Sequence, residues 1–150
     1  MTYTFAQLTA ADVPRLKELL AVFGDAFEDK DTYLGAVPSD AYLTAQLSKP
    51  HFIALVALDG SEVVGGLAAY ELEKFEQDRR EIYIYDLAVA EAHRRKRIAT
   101  DLILALKEIA KRRRAYVIYV QADYVDPPAI KLYESLGTRE EVLHFDILVD

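Results

Sequence analysis

The sequence predicts an α/β protein, with a mixed sheet covered by helices, in a single domain that spans residues 1–150. Three observations lead to this prediction. The chain has 150 residues, of which 52% are hydrophobic and 29% charged, so one core can form and a disordered polypeptide is excluded. Segments with the two-residue period of strands alternate with segments that have the helical period. The dipeptide Asp59-Gly60 joins two strand-like runs, as in a β-hairpin.

The first half of the chain is predicted to contain a strand, two helices and the hairpin. Residues 3–8 alternate as a strand does, and Thr9 can cap a helix with Pro14 in its first turn. The apolar side chains at helical spacing are Val13, Leu16, Leu20 and Phe23. An acidic and aromatic stretch follows, and a short helix then opens at Pro38-Ser39. The acidic and aromatic stretch covers residues 24–37, and the short helix runs to about residue 47. The hairpin strands are predicted over residues 52–58 and 62–70.

The second half is predicted to alternate strands with helices. A charged loop over residues 72–79 leads into a strand over residues 81–89. The following helix has one apolar stripe. This helix spans residues 98–111, and its stripe is Ile98, Leu102, Leu106 and Ile109. The remaining predictions are a short strand of the buried type over residues 116–122, a helix over residues 129–136 closed by a left-handed Gly137, and a last strand over residues 142–148.

The charge distribution separates one basic segment from an acidic remainder, within a net charge of −7. Residues 94–114 carry nine basic and two acidic side chains, a net +7. The rest carries nine basic and 23 acidic side chains, a net −14. This balance disfavours a general nucleic-acid-binding protein and suits two ligands of opposite charge. The alternative is an amphipathic helix with solvated charged ends.

Several classes of site are excluded or unexpected. The chain has no cysteine, which excludes disulfides, thiolate zinc sites and a cysteine nucleophile. No apolar run approaches the ~18 residues of a membrane span, and the N-terminus lacks a signal-peptide pattern, so we expect a cytoplasmic protein that does not bind membranes. His51, His93 and His144 have no paired metal-ligand spacing, so we expect no metal.

The most informative segment is a strand that runs through a short basic loop into a helix. Arg94, Arg95, Lys96 and Arg97 stand where this helix begins. Cations there oppose the helix dipole, whereas free backbone N–H groups at such a junction attract anions. The locally unfavourable cluster therefore predicts a bound polyanion in preference to a solvated loop. Neither a Walker loop nor a Rossmann fingerprint occurs in the sequence.

The sequence LAV followed by HRRKRIAT resembles the acetyl-CoA-binding segment of the GNAT N-acetyltransferase superfamily, whose pattern is Q/R-x-x-G-x-G/A. Arg94 matches the first position and Ala99 the last, but Arg97 replaces the central glycine, where a Cβ would crowd the phosphate oxygens. If Arg97 is right-handed helical, its N–H still points correctly and its guanidinium adds a phosphate contact, so we expect binding to be retained. The resemblance assigns coenzyme binding to Leu87, Ala88, Val89, Arg94, Arg95, Lys96, Arg97, Ile98, Ala99 and Thr100.

A second segment resembles the N-x-x-A-x-x-x-Y-x-x-x-G helix of the same family, with Asp126 where the family usually has Asn. Ala129 and Tyr133 are one helical turn apart and share a face. The resemblance implies that these three residues contact acetyl-CoA and that Tyr133 protonates the departing thiolate. Without the first match, Tyr133 would be interpreted as a core residue of an amphipathic helix.

Three stretches, EIYIYDLAV, VIYVQADY and EEVLHFDI, are similar to the aminoglycoside 3-N-acetyltransferases of the gentamicin/fortimicin type. The likeness covers nearly the whole chain and is weakest over residues 1–17. It implies a mixed, mostly antiparallel V-shaped sheet that splits between its fourth and fifth strands, where acetyl-CoA enters. It also implies a homodimer, and direct acetyl transfer to an amine of a 2-deoxystreptamine aminoglycoside, which confers antibiotic resistance.

Asp86 is the candidate general base, because an aliphatic ammonium must lose a proton before it can attack. It is the lone carboxylate in the apolar-aromatic run over residues 82–89, and a substrate ammonium would offset the cost of burying it. Strict alternation puts Asp86 on the face opposite Tyr83 and Tyr85, although a β-bulge, which the family often has, could re-aim it. If Asp86 faces away from the cleft, Glu81 or one of these tyrosines could relay the proton through water.

Substrate recognition is assigned to acids and aromatics outside the basic segment, whose net −14 favours steering of a polycation. The candidates are Asp25, Glu28, Asp29, Tyr85, Asp86, Asp123, Tyr124, Glu141 and Asp146. Each carboxylate taken singly could equally be a solvated surface acid. Backbone N–H groups of residues 87–89 are expected to pair with the pantetheine arm and to polarise the thioester oxygen.

Three alternative functions stay open. One is a GNAT enzyme that acetylates a polyamine or a protein amine. Another is a catalytically weak acetyl-CoA-binding module, which the substitution by Arg97 motivates. The third is a nucleic-acid-binding module that uses HRRKR and the basic run over residues 111–114, although we interpret this run as a helix end, where cations favour the dipole.

Overall fold

The computed structural model describes residues 2–150 and contains five strands and five α-helices. The strands are β1 (Thr4–Gln7), β2 (Phe52–Asp59), β3 (Glu62–Glu73), β4 (Arg80–Val89) and β5 (Ala115–Val120). The helices are α1 (Val13–Ala26), α2 (Lys30–Leu34), α3 (Asp40–Ser48), α4 (Ile98–Arg112) and α5 (Pro127–Leu136). Single 3-10 turns at Ala10–Asp12 and Glu91–His93 precede α1 and α4.

The strands form one mixed sheet in the order β1-β2-β3-β4-β5. The first three pairs are antiparallel and β4 pairs with β5 in parallel. The parallel pair follows from the α4 crossover, since a parallel connection needs an intervening helix or a long loop. The predicted α/β class with a mixed, mostly antiparallel sheet is confirmed.

Local signals at three turns act as the sequence predicts. The Thr9 hydroxyl accepts a hydrogen bond from the Ala11 N–H, and the Asp12 carboxylate accepts one from the Thr9 N–H at 2.8 Å. Ser39 caps α3 by accepting from the Tyr42 N–H. Gly60 closes the β2–β3 hairpin with a φ of +62°, a left-handed conformation that glycine adopts readily.

The core has two parts, one on each face of the sheet, because alternate strand residues point to opposite faces. α4 covers one face, where Ile98, Leu102 and Leu106 pack against the central strands. α1 and α3 cover the other face. In the buried stripe of α1, Leu19 takes the place that the sequence assigned to Leu20, which is only partly buried.

Two local predictions at the C-terminal end of the sheet are wrong. β5 is not buried: Tyr116, Val117 and Tyr119 are between 36% and 49% exposed, because β5 is the last strand of the sheet and has a neighbour on one side only. Gly137 is not a left-handed cap, since its φ of −152° and ψ of −172° are extended. Its N–H donates to the Tyr133 carbonyl at 2.8 Å, so the helix closes without a positive φ.

The predicted last strand over residues 142–148 is also absent from the structure, where residues 138–150 have no regular secondary structure. A strand needs a hydrogen-bonded neighbour, and within residues 2–150 no strand lies beside this segment. None of the helices in the described chain has the length and apolar character that a bilayer crossing requires.

Candidate active site

β4 contains a β-bulge at Tyr85. The β3 residues Ala68 and Ala69 pair with Asp86 and Ile84, which leaves Tyr85 as the extra residue. An extra residue shifts the alternation of a strand by one position, so the side chains after it change face. The bulge considered from the sequence as a way to re-aim Asp86 is therefore present.

The bulge turns Asp86 to the face of the sheet that α1 covers. Ile84 before the bulge and Leu87 after it both contact the core on the α4 side. Asp86 lies on the opposite face, together with Ala88, which belongs to the core on the α1 side. Tyr83 alternates with Ile84 onto the α1 face as well. The arrangement predicted from strict alternation, with Asp86 opposite Tyr83, is thus wrong because of one added residue.

Asp86 is held by a residue of α2. The Tyr33 hydroxyl donates a hydrogen bond of 3.0 Å to Oδ2 of Asp86. Burial raises the pKa of the Asp86 carboxyl above its usual range, and the Tyr33 hydrogen bond partly opposes that rise. Burial and the Asp86 charge raise the pKa of Tyr33, so its phenol stays protonated and keeps donating. A carboxylate with a raised pKa is the stronger base.

Aromatic rings surround this carboxylate. The Tyr85 ring meets Tyr70 and Tyr83 edge to face, each with a centroid distance of 6.0 Å. Tyr83 in turn stacks on Tyr119 of β5 at 4.7 Å. Burial and, to a smaller extent, the Asp86 charge raise the pKa of both Tyr70 and Tyr83, so these two phenols lie near the carboxylate.

Two of the three alternative proton relays, Glu81 and Tyr83, hydrogen-bond to other groups. Lys74 donates to the Glu81 carboxylate at 2.7 Å and Tyr116 donates to it as well, and these hydrogen bonds lower the pKa of Glu81. The Tyr83 hydroxyl donates to the Gln121 amide oxygen at 2.9 Å. Asp86 shares a face with Tyr83, and the choice of Asp86 over a relay as the base stays a prediction.

The sheet opens between β4 and β5. Their pairing runs from Arg80 with Ala115 to Ile84 with Val120 and stops there. β4 continues over residues 85–89, whose edge toward β5 has no strand partner. Backbone groups of Leu87, Ala88 and Val89 thus stand at an opening of the kind the sequence predicts, directly beyond Asp86.

The N-terminus of α4 lies at this opening, where Ile98 and Val89 share a core. The first helical hydrogen bond is from the Asp101 N–H to the Arg97 carbonyl at 2.9 Å, so the preceding N–H groups of Ile98, Ala99 and Thr100 have no partner within the helix. Arg97 is the N-cap residue and makes no side-chain cap. These free donors can bind an anion.

The backbone of Arg97 is left-handed, with a φ of 65° and a ψ of 12°. The right-handed conformation considered for it is therefore wrong. The chain turns from the loop into α4 at this residue, and glycine adopts such a turn at least cost.

The basic cluster of residues 94–97 is exposed. The Arg94 guanidinium donates through Nε to the Val89 carbonyl at 3.0 Å, which ties the loop to the end of β4. His93 also anchors the loop, with its Nδ1 2.9 Å from the Tyr3 hydroxyl. None of the ion pairs within residues 2–150 involves Arg95, Lys96 or Arg97.

α5 places Tyr133 against the core on the α4 side of the sheet. Asp126 caps this helix, its side chain accepting from the Ala129 N–H at 3.3 Å. Burial, with a smaller contribution from Asp126, raises the pKa of Tyr133 to about 12. The phenol therefore stays protonated and can donate a hydrogen bond at neutral pH.

The acidic segment, residues 24–37, lines an open cavity of about 460 Å³. Asp25, Glu28 and Asp29 all belong to its lining, and Lys30 lies 3.6 Å from Asp25. Tyr33 connects this segment to the carboxylate of β4, because the charges of both Asp29 and Asp86 raise its pKa. The structure thus brings these three predicted acids to the same face of the sheet as Asp86.

Four further predicted substrate residues lie apart from this group. Tyr124, in the loop after β5, donates to Glu141, which also accepts from Arg139 at 2.7 Å. Asp123 lies in the same loop as Tyr124. Asp146 is paired with His144 in the exposed C-terminal segment. Within the described chain, no hydrogen bond or ion pair joins any of the four to Asp86.

Tyr33 is the partner of Asp86 that the sequence did not single out. It stands in the acidic and aromatic stretch, but nothing in its spacing indicates that it reaches Asp86 of a strand 53 positions later. Groups of three or more His, Asp or Glu side chains able to hold a metal ion are absent from residues 2–150. Metal-independent chemistry stays a prediction.

A sheet that parts between its fourth and fifth strands, with free N–H groups and cations at the opening, is the arrangement that the resemblance to acyltransferases of the GNAT type implies. The model of the acetyltransferase (GNAT) family matches residues 16–138. The chain belongs to this family.

Solved structures agree with the assignment. An aminoglycoside acetyltransferase from an uncultured soil metagenomic sample is 58% identical over 100% of both chains, with a TM-score of 0.98. A second such enzyme from soil, crystallised with sisomicin, is 31% identical over 99% of this chain and 97% of its own, with a TM-score of 0.92. A ribosomal-protein-alanine N-acetyltransferase from Brucella melitensis biovar Abortus 2308 is 25% identical over 99% of this chain and 100% of its own, with a TM-score of 0.77. Among curated proteins, none matches the chain significantly.

Proposed function

We propose that this protein is an aminoglycoside 3-N-acetyltransferase that uses acetyl-CoA and acts on a 2-deoxystreptamine aminoglycoside of the gentamicin type. The observation that carries the proposal is the Tyr33–Asp86 hydrogen bond, which joins the acidic segment to the opening between β4 and β5. A base and a cation-binding surface thereby adjoin the acyl site. The 58% identity to an aminoglycoside acetyltransferase supports the substrate class.

The opening has the donors that acetyl-CoA needs. The free N–H groups at the start of α4 and the exposed cations Arg95, Lys96 and Arg97 suit a diphosphate. The unpaired edge of residues 87–89 suits a pantetheine arm, which can hydrogen-bond as an added strand does. The left-handed Arg97 leaves this backbone surface in place, which weakens the case for a module without activity.

The proposed reaction is direct transfer. Asp86 accepts a proton from the substrate ammonium, and the freed amine nitrogen bonds to the acetyl carbon as the carbon–sulfur bond breaks. The nitrogen then releases its second proton to water, which leaves a neutral amide. Backbone N–H groups of residues 87–89 polarise the carbonyl oxygen. Tyr133 donates its proton to the sulfur that leaves. When bound, acetyl-CoA supplies the activated acetyl group.

The acidic segment is proposed to hold the other ammonium groups of the antibiotic. Asp25, Glu28 and Asp29 would attract a polycation before it reaches Asp86. Asp123, Tyr124, Glu141 and Asp146 are proposed as outer contacts. A homodimer, a cytoplasmic location and a role in antibiotic resistance complete the proposal.

A thiol-release assay tests the substrate class. The purified protein is given acetyl-CoA with sisomicin, gentamicin, spermidine or a lysine peptide in parallel. We expect turnover with the two aminoglycosides alone. Turnover with spermidine or the peptide in preference would overturn the substrate class, and acetyl-CoA binding without turnover would show a binding module.

The position of acetylation is tested on the product. Two-dimensional NMR of acetylated sisomicin is expected to show the new amide on the 3-amino group of the deoxystreptamine ring. An amide on another ring would keep the aminoglycoside class and refute the 3-N assignment. Expression in a susceptible bacterium, with and without Asp86→Asn, tests resistance.

A further inference from the structure

The loop between β4 and α4 contains two residues in a strained backbone conformation. The φ angle is 63° at Arg95 and 65° at Arg97, so both residues are left-handed. Residues other than glycine rarely adopt this conformation, and it persists only where surrounding contacts hold it. The shape of this loop therefore depends on its contacts with the rest of the fold.

Two side-chain hydrogen bonds hold residues 91–97 in the described chain. In one, Nε of Arg94 donates to the Val89 carbonyl at 3.0 Å, which is a local contact with the end of β4. In the other, Nδ1 of His93 lies 2.9 Å from the hydroxyl of Tyr3, 90 positions earlier in the chain. The two rings also meet edge to face, with a centroid distance of 5.7 Å. Through Tyr3, a distant part of the fold thus holds this loop.

Tyr3 is itself held firmly by the fold. Its side chain packs against the core on the α4 side of the sheet. The next residue, Thr4, begins β1 and pairs with Leu58 of β2. The core and the sheet together therefore limit the movement of the Tyr3 hydroxyl. Because His93 directly precedes Arg94, the contact with Tyr3 fixes the loop just before its exposed basic cluster.

We propose that Tyr3 is a positioning residue for acetyl-CoA, which acts through His93 to hold residues 94–97 in the conformation that receives the diphosphate. The inference rests on the proposed acetyl-CoA site. A loop that is already ordered loses less conformational entropy when its ligand binds. The contact between Tyr3 and His93 therefore strengthens the binding of CoA and leaves the chemical step at Asp86 unchanged.

Trypsin measures the state of the loop without any ligand, because residues 94–97 are all arginine or lysine and are exposed. The variant Tyr3→Phe keeps the ring and removes the hydroxyl. We expect native-state cleavage after residues 94–97, mapped by mass spectrometry, to become roughly fivefold faster, the scale of one lost hydrogen bond. Equal acceleration at every tryptic site would show that Tyr3 acts on global stability, which would overturn the proposal.

The matched control is Tyr116→Phe. It also loses a hydrogen bond from a tyrosine hydroxyl, but the acceptor is Glu81, near the opposite end of β4 from the loop. Cleavage after residues 94–97 should proceed at the wild-type rate in this variant. Acceleration as large as that in Tyr3→Phe would refute a specific role for Tyr3.

Calorimetric titration with CoA gives the second readout. We expect Tyr3→Phe to raise the Kd for CoA and the KM for acetyl-CoA by the same factor of roughly five, with unchanged kcat and unchanged KM for sisomicin. CoA should bind the double variant Tyr3→Phe/His93→Phe no more weakly than His93→Phe alone, because the shared contact can be lost only once. Additive losses would show that the two residues act separately and would overturn the proposal.

The outcomes for CoA binding separate this inference from the proposed function. If wild type and Tyr3→Phe bind CoA equally tightly, the inference about Tyr3 fails and the proposed function stands. If the wild type has no measurable affinity for CoA, the proposed function fails and the inference fails with it.

Discussion

The Tyr33 hydroxyl of α2 and the Asp86 carboxylate of β4 are joined by a hydrogen bond across the mouth of the opened sheet. The two residues belong to different parts of the proposed site, since Tyr33 lies in the acidic segment and Asp86 directly precedes the unpaired edge of residues 87–89. We therefore assign Tyr33 a positioning role. This role can be measured, because the hydrogen bond from Tyr33 lowers the pKa of Asp86 against the rise that burial causes.

Removing the hydroxyl in Tyr33→Phe is expected to move the acid limb of the pH profile of kcat/KM to higher pH. The hydrogen bond lowers the pKa of Asp86 against the effect of burial, so its loss lets that pKa rise further. Asp86 must be ionised to act as a base, so activity then disappears at a higher pH as the solution is acidified. The measurement is the pH dependence of thiol release with sisomicin.

Tyr70→Phe is the matched control, because Tyr70 is near Asp86 but donates no hydrogen bond to it in the described chain. Its acid limb should stay in the wild-type position. A purely structural role for Tyr33 would lower kcat/KM at every pH and leave the limb unmoved.

Asp86→Asn is expected to lower kcat/KM by roughly 10²-fold or more, the scale of lost general-base catalysis. The affinity for acetyl-CoA should not change. The fold should also persist. Because the pKa of Asp86 is higher in the folded state than in the unfolded state, the protonated carboxyl stabilises the fold below the unfolded pKa. This stabilisation is lost as the pH rises through the folded pKa. At neutral pH the charged form opposes folding, so the neutral amide should not lower the thermal midpoint.

Asp78→Asn, at a side chain that is 88% exposed, is the control for a loss of negative charge and should leave the kinetics unchanged. Near-normal activity of Asp86→Asn would remove Asp86 from the role of base. Enzyme activity and thermal unfolding are measured on the same preparations.

Tyr133→Phe is expected to lower kcat by roughly 10²-fold, as when a general acid is lost, with little change in KM for acetyl-CoA. A pKa of about 12 keeps the wild-type phenol protonated, so Tyr133 should cause no loss of activity in mildly alkaline buffer. Steady-state kinetics across the alkaline range measure both effects. A wild-type alkaline limb that disappears in Tyr133→Phe would contradict the assigned pKa.

The sequence predicted the fold because most elements carry strong local signals. The cap at Thr9, the turn at Gly60 and the apolar stripe of α4 each favour one local structure irrespective of the rest of the chain. The start of α4 was predicted from its apolar stripe. The anion that the cations of residues 94–97 indicate there, because they otherwise conflict with the helix dipole, stays a prediction.

The features that the sequence did not predict depend on distant neighbours. A bulge is one added residue in a register shared with β3, and the run IYIYDLAV contains no residue that marks Tyr85 as the extra one. The contact of Tyr33 with Asp86 likewise depends on how α2 sits against the sheet. The apolar alternation after Glu141 is typical of a strand, but the segment pairs with none of the strands in the described chain, and a sequence pattern does not show whether such a neighbour is present.

The combined variant Asp25→Asn/Glu28→Gln/Asp29→Asn is expected to lower kcat/KM for sisomicin by about tenfold, the lower end of electrostatic steering. Its dependence on salt should also weaken, because screening acts on the attraction that has been removed. The asparagine at position 29 can still cap α2, so the fold should persist. Kinetics at low and high ionic strength measure the effect.

The matched control Glu62→Gln/Asp78→Asn/Glu108→Gln removes the same number of charges from exposed positions outside the acidic segment. If both triple variants lose activity equally, the acidic segment has no specific role and only the net charge matters. The KM for acetyl-CoA should be the same in both.

Arg97→Gly is expected to leave the affinity for CoA within about tenfold of the wild type, because backbone N–H groups at the start of α4 supply most of the binding. The left-handed backbone of Arg97 costs about 1 kcal/mol that glycine avoids, partly offset by the larger entropy of glycine in the unfolded chain. The thermal midpoint should therefore stay or rise. Calorimetric titration with CoA and thermal unfolding provide the two readouts.

Arg97→Ala separates the guanidinium from the backbone, since alanine loses the charge but keeps the cost of a positive φ. We expect CoA to bind the alanine and glycine variants with similar affinity, and the alanine variant to be the less stable of the two. Complete loss of CoA binding in both would make the guanidinium the main anchor. Loss of CoA binding in the glycine variant alone would show that binding depends on a side chain that restricts this turn. We do not expect that result, because α4 itself positions the free N–H groups of residues 98–100.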